Sequence, residues 1–113
     1  MYKRQGDTWL AANLPMITQS PQYLLGQVAV FIAWDEGNGK GNVKGVDCTV
    51  TTTISNPSCN PPLYVVSPYT VPGTLLTDSL NHYSLLRTTQ DILGLLPLTG
   101  QVSASDFRTL VGL

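Results

Sequence analysis

The sequence predicts an α/β fold. Three observations carry that reading: an apolar β-forming run at 27–34, a second at 62–67, and helix-like stretches on either side of them. The order helix, strand, loop, strand, helix predicts a sandwich in which the two strands run parallel. At 113 residues the chain suits one small domain. Two strands are too few for a stable sheet covered on both faces, so the expectation is part of a larger one.

Residues 7–25, DTWLAANLPMITQSPQYLL, carry apolar side chains at Trp9, Leu10, Leu14, Ile17 and Tyr23–Leu25. That spacing predicts a helix with one buried face and Asp7 as its N-cap. Pro15 and Pro21 are awkward in a helix interior, so a kink or an end is expected near residue 19. Gly26 breaks the run. QVAVFIAW, residues 27–34, is apolar on both alternating faces, the pattern of a strand covered on both sides.

The stretch 35–61 is rich in Gly, Asn, Thr and Pro and has no usable periodicity. A loop of that length inside a small domain is usually functional. PLYVVS, residues 62–67, reads as a second short buried strand, and Pro68, Pro72 and Gly73 then mark a turn. NHYSLLRTTQDILG, residues 81–94, predicts a helix with Leu85, Leu86, Ile92 and Leu93 inward and Gly94 as its stop. The tail, ending in Phe107–Leu113, is expected to pack on the rest.

Composition narrows the classes. Net charge is −1 and charged residues make up 12%, so nothing points to nucleic acid or an anionic membrane surface. No apolar run approaches the ~20 residues of a membrane-spanning helix. MYKRQGDTW is polar and does not lead into a signal peptide's apolar core. Cys48 and Cys59 bracket a Thr/Ser/Asn/Pro loop, which fits two readings. One is a disulfide, worth about 2–3 kcal/mol through the unfolded chain; the other is a pair of free thiols. One His and one Cys pair make a zinc site a poor fit.

Asp35 and Glu36 stand where the first apolar strand ends, the edge at which open α/β sheets bind ligands. Adjacent carboxylates repel unless a cation shares them, and a hard divalent ion with oxygen ligands meets that condition. Gly37, Gly39 and Gly41 would let backbone pass close to such an ion. On spacing alone, a solvated acidic turn fits better than a site. His82, the single histidine, follows Asn81 at a helix start. It could ligate metal, donate to a phosphate oxygen, or cap and pack. Ser67 and Ser84 lack the Gly-x-Ser-x-Gly context of a nucleophile. Arg87 reads as a solvated or ion-paired side chain. Lys40 and Lys44 flank the loop mouth, where they could attract an anion or stand as exposed lysines with no function.

Three ordered blocks, AWDEGNGKG, VVSPYTVPGT and NHYSLLRTTQDILGL, resemble the C-terminal part of the bacterial phosphoesterase family. That family lies within the alkaline-phosphatase superfamily and includes acid phosphatases, phosphatidylinositol-3-phosphatase-like proteins and phospholipases C. GDTWLAANLPMITQSPQY also resembles the helix before that strand, so the resemblance covers nearly the whole chain. It implies the C-terminal portion of a three-layer α/β/α sandwich with a mostly parallel sheet.

The implied activity is metal-dependent hydrolysis of phosphate monoesters, on a small phosphate ester or a phosphoinositide. Asp35 and Glu36 match the family's metal-binding acid pair, and the ion could be Ca, Mg, Mn or Zn. His82 matches a histidine near the metal or phosphate, a catalytic position. Gln90 stands where the block usually has an acid. The family's signal peptide, its first metal-binding strand and its nucleophile are expected upstream of Met1. Residues 1–113 are therefore expected to be one partial domain of a secreted enzyme, inactive without its N-terminal half. Phospholipase C-type diester cleavage, a non-catalytic ion-binding module and a decayed remnant are the alternatives.

Overall fold

A computed structural model describes residues 2–35, 61–78, 80–98 and 103–113. The chain forms two compact units, Val30–Val66 and the remainder, Met1–Ala29 with Ser67–Leu113.

In the larger unit the first helix, α1, spans Tyr2–Thr18. It starts well before Asp7, which lies inside it and is not its N-cap. Lys3, Arg4 and Gln5 are good helix formers, and the ~1 kcal/mol cost of Gly6 does not stop propagation. Pro15 is accommodated within α1. The helix ends where the prolines predict, because Pro21 disfavours helical backbone at Ser20. Ser20 is extended and caps a short second helix, α2 (Pro21–Leu24), its hydroxyl accepting from the Tyr23 N–H at 3.2 Å. Pro21 occupies the first helical position, where its missing N–H costs nothing. The expected buried face of α1 is only half realised: Leu10 and Leu14 are partly covered, while Trp9 and Ile17 are exposed.

The third helix, α3, spans His82–Ile92. Asn81 is its N-cap and forms a capping box with Ser84: the Ser84 N–H donates to Asn81 Oδ1 at 3.0 Å, and the Asn81 N–H donates to Ser84 Oγ at 3.3 Å. Its other end closes in a Schellman turn. The Leu95 N–H donates to the Gln90 carbonyl, the Gly94 N–H donates to the Asp91 carbonyl, and Gly94 has φ +66°. Gly94 is thus the stop that the sequence predicts.

The inward face of α3 is a correction to the sequence reading. The buried residues are Ser84, Thr88 and Gln90, whereas Leu86, Ile92 and Leu93 are exposed and Leu85 is partly covered. The tail decides this, because it presents hydrogen-bonding groups to α3 along with Phe107. Phe107 and Val111 are the buried hydrophobic residues among those described, Phe107 completely so. A 3-10 turn over Thr109–Val111 ends the chain's regular structure.

The smaller unit is a two-stranded sheet of β1 (Val30–Ala33) and β2 (Leu63–Val66). Its strands are antiparallel, not parallel, in the register Val30↔Val66, Phe31↔Val65, Ile32↔Tyr64 and Ala33↔Leu63. A parallel pair needs a crossover, usually a helix, and 35–61 has no helical periodicity to supply one. Each strand residue stays at least partly accessible, so the expected cover on both faces is also absent among the described residues.

Candidate active site

Asp35 stands just beyond β1. The Trp34 N–H donates to the Pro62 carbonyl at 3.3 Å, which carries the pairing one residue past the strand before the chain bends at Asp35. Asp35 is exposed. Glu36 lies outside the described residues, as do Lys40, Lys44, Cys48 and Cys59. Two carboxylates suit a hard divalent ion in kind, and of this pair the described chain supplies Asp35. Among the described residues no three of His, Cys, Asp and Glu gather as a metal cluster would. Beside Asp35, the Trp34 and Tyr64 rings meet edge-to-face, 5.9 Å between centroids at 64°. Tyr64 pairs with Ile32, so it is diagonal to Trp34 on one face of the sheet, within reach of aromatic side chains.

In the larger unit His82 is the first residue of α3, and its side chain is exposed. Asn81 and Ser84 perform the capping, and His82 does not pack into a core. Ser84 is buried with its hydroxyl committed to the capping box. Ser67 is buried too, and its Oγ accepts from the Tyr69 N–H at 3.1 Å. Neither serine is presented as an exposed nucleophile. Arg87 pairs with Asp91 one helical turn on, Nε to Oδ2 at 2.7 Å. That hydrogen bond raises the Arg87 pKa above its ordinary value.

Sequence reasoning missed the contacts that anchor this helix. The Thr88 hydroxyl donates to Asp106 Oδ1 at 3.1 Å and accepts from the Phe107 N–H at 3.0 Å. Arg108 adds a 3.4 Å hydrogen bond from Nη1 to the Asp91 carbonyl. The available signal was Ser-Asp-Phe-Arg: an Asp side chain readily accepts from the N–H two residues on, as Asp106 does from Arg108 at 2.8 Å.

Gln90, where the resemblance expects an acid, donates from Nε2 to the Leu96 carbonyl at 3.1 Å. A carboxylate has no proton to give there.

A family model described as the Phosphoesterase family matches residues 3–96. The chain belongs to the phosphoesterase family. No curated protein and no solved structure matches it. The match includes Asp35, Glu36 and His82, and it ends at Leu96, the acceptor of the Gln90 hydrogen bond. Phosphoesterases hydrolyse phosphate esters, are generally metal-dependent and act on small molecules. No described helix of this phosphoesterase is long and apolar enough to cross a membrane.

Proposed function

We propose that this chain is the C-terminal portion of a secreted, alkaline-phosphatase-like α/β/α domain that hydrolyses phosphate monoesters with a divalent ion. The observation that carries the reading is the family match over residues 3–96, which takes in the acid pair Asp35-Glu36, set off from the end of β1 by one residue, Trp34. Asp35 and Glu36 hold the ion. Bound there, the ion would offset the negative charge of the phosphate and lower the barrier to attack on phosphorus. His82, exposed at the start of α3, contacts a phosphate oxygen or the ion. The substrate is a soluble phosphate ester or a phosphoinositide headgroup.

Exposed apolar side chains support a larger parent domain. Leu24, Leu75 and Leu96 are 70%, 83% and 88% exposed, surface that a completed three-layer sandwich would cover. An antiparallel pair is compatible with such a sandwich, since mixed sheets are common among large ones.

The test is calorimetric titration of Ca, Mg, Mn and Zn into the purified chain and into Asp35→Asn/Glu36→Gln. The expected result is binding of one of these ions, weakened at least about tenfold in the double variant. With the N-terminal portion supplied, p-nitrophenyl phosphate should be hydrolysed faster than its diester, and a chelator should abolish the activity. Ion binding unchanged by the double variant would sink the site. Ion binding without hydrolysis in the completed domain would leave an ion-binding module.

A further inference from the structure

The family match ends at residue 96, yet the buried hydrophobic residues among those described, Phe107 and Val111, both lie beyond it. The segment Asp106–Leu113 therefore contributes the buried hydrophobic residues of the larger unit among those described. It also touches two of the three sequence blocks that carry the resemblance. On α3 it is held at Thr88, whose hydroxyl bonds both Asp106 Oδ1 and the Phe107 N–H, and at Asp91, whose carbonyl accepts from Arg108. On the turn Ser67–Thr70 it is held by the Thr70 hydroxyl, which donates to the Val111 carbonyl at 2.8 Å. Gly112 passes so close to this turn that a Cβ there would meet the Tyr69 carbonyl oxygen at 2.9 Å.

We infer that Asp106–Leu113 is a strap that sets the position of α3, and with it His82, against the Ser67–Thr70 turn, with Thr88 and Thr70 as positioning residues. The mechanical argument is direct. A helix rises about 1.5 Å per residue, so Thr88 lies about 9 Å along α3 from His82. Hydrogen bonds hold the helix backbone together between them, and fixing α3 at Thr88 and Asp91 fixes the direction in which its first residue projects. Thr88 is fully buried, and its one hydroxyl serves as donor and acceptor at once. A residue of the same shape without that hydroxyl would lose both hydrogen bonds by which Thr88 holds the strap. The turn is set independently of α3, through Thr70 and the close approach of Gly112. One short segment thus joins two elements that are separate in sequence.

The importance of His82 rests on the proposed function, but the test reads its surroundings and needs no turnover. His82 is the only histidine, so its ring protons give one assignable pair of NMR signals. The experiment compares the full chain with Thr88→Val, which keeps the shape and loses the hydroxyl, and with Thr88→Ser, which keeps the hydroxyl. Thr88→Val is expected to shift and broaden the His82 signals and to speed amide exchange at Tyr69 and Thr70 about tenfold, with helical circular dichroism retained. Thr88→Ser should restore both.

Should Thr88→Val fail to fold, Thr70→Val removes only the strap's bond to the turn. It is then expected to speed exchange at Val111 and Gly112 and to move the His82 signals. His82 signals unchanged in a folded variant, or a change that Thr88→Ser does not reverse, would overturn the inference. Ion binding unchanged in Asp35→Asn/Glu36→Gln, with the His82 signals still responding to Thr88→Val, would overturn the proposed site and leave the strap standing.

Discussion

The Tyr69 side chain ends against Gly26, its hydroxyl occupying the space a side chain on residue 26 would need. Gly26 closes α2 with φ +74°, so the position is restricted twice, by backbone and by neighbour. Gly26→Ala is expected to cost more than the ~1 kcal/mol of a left-handed alanine alone, roughly 2–4 kcal/mol. Urea denaturation of Gly26→Ala and Gly26→Ala/Tyr69→Ala checks this. The second change should recover the part due to overlap and leave the backbone part.

Gln90 bonds the Leu96 carbonyl from within α3, and its own Oε1 is buried without a partner among the described residues. Gln90→Glu would set an ionised carboxylate against that carbonyl. The variant should be less stable at pH 7 by about 2–4 kcal/mol. Burial raises the folded pKa of the introduced carboxyl above its unfolded value. The penalty is therefore present at high pH and shrinks as pH falls through the raised pKa. Thermal melts at pH 7 and pH 4.5 should show the gap to the unaltered chain narrowing on acidification; a gap independent of pH would count against this account.

Asn81 satisfies the Ser84 N–H and fixes where α3 begins. Asn81→Ala should lower stability by about 1 kcal/mol and increase amide exchange at Ser84, while Asn81→Asp should hold the cap. Because His82 is the next residue, the alanine variant should also broaden its NMR signals.

Cys48 and Cys59 are proposed to be joined, a bond that would accord with the proposed secretion. Intact mass under non-reducing conditions should fall short of the reduced mass by two thiol hydrogens. Reduction should then cost about 2–3 kcal/mol of stability. Two alkylatable thiols in the native, oxidatively handled protein would refute the bond.

What the chain could say for itself was local. Pro21 ended α1, Asn81 marked where α3 opens, and Gly94 closed it, since each acts on backbone groups within a few residues. AWDEGNGKG and NHYSLLRTT likewise carried the family, which the match over residues 3–96 shows. Tertiary structure decided everything that depended on a distant partner. Apolar alternation could not show the direction of β2 against β1, since it is the same in parallel and antiparallel strands. The signal lay in 35–61, which has no helical periodicity to supply a parallel crossover. The inward face of α3 was misread as Leu85, Leu86, Ile92 and Leu93. Hydrophobicity indicates which side chains gain by leaving water, but the tail supplied Asp106 and the Phe107 N–H opposite Thr88, so a polar face turned inward. Burial is settled by what stands across the gap, and that partner lies 18 and 19 residues away along the chain.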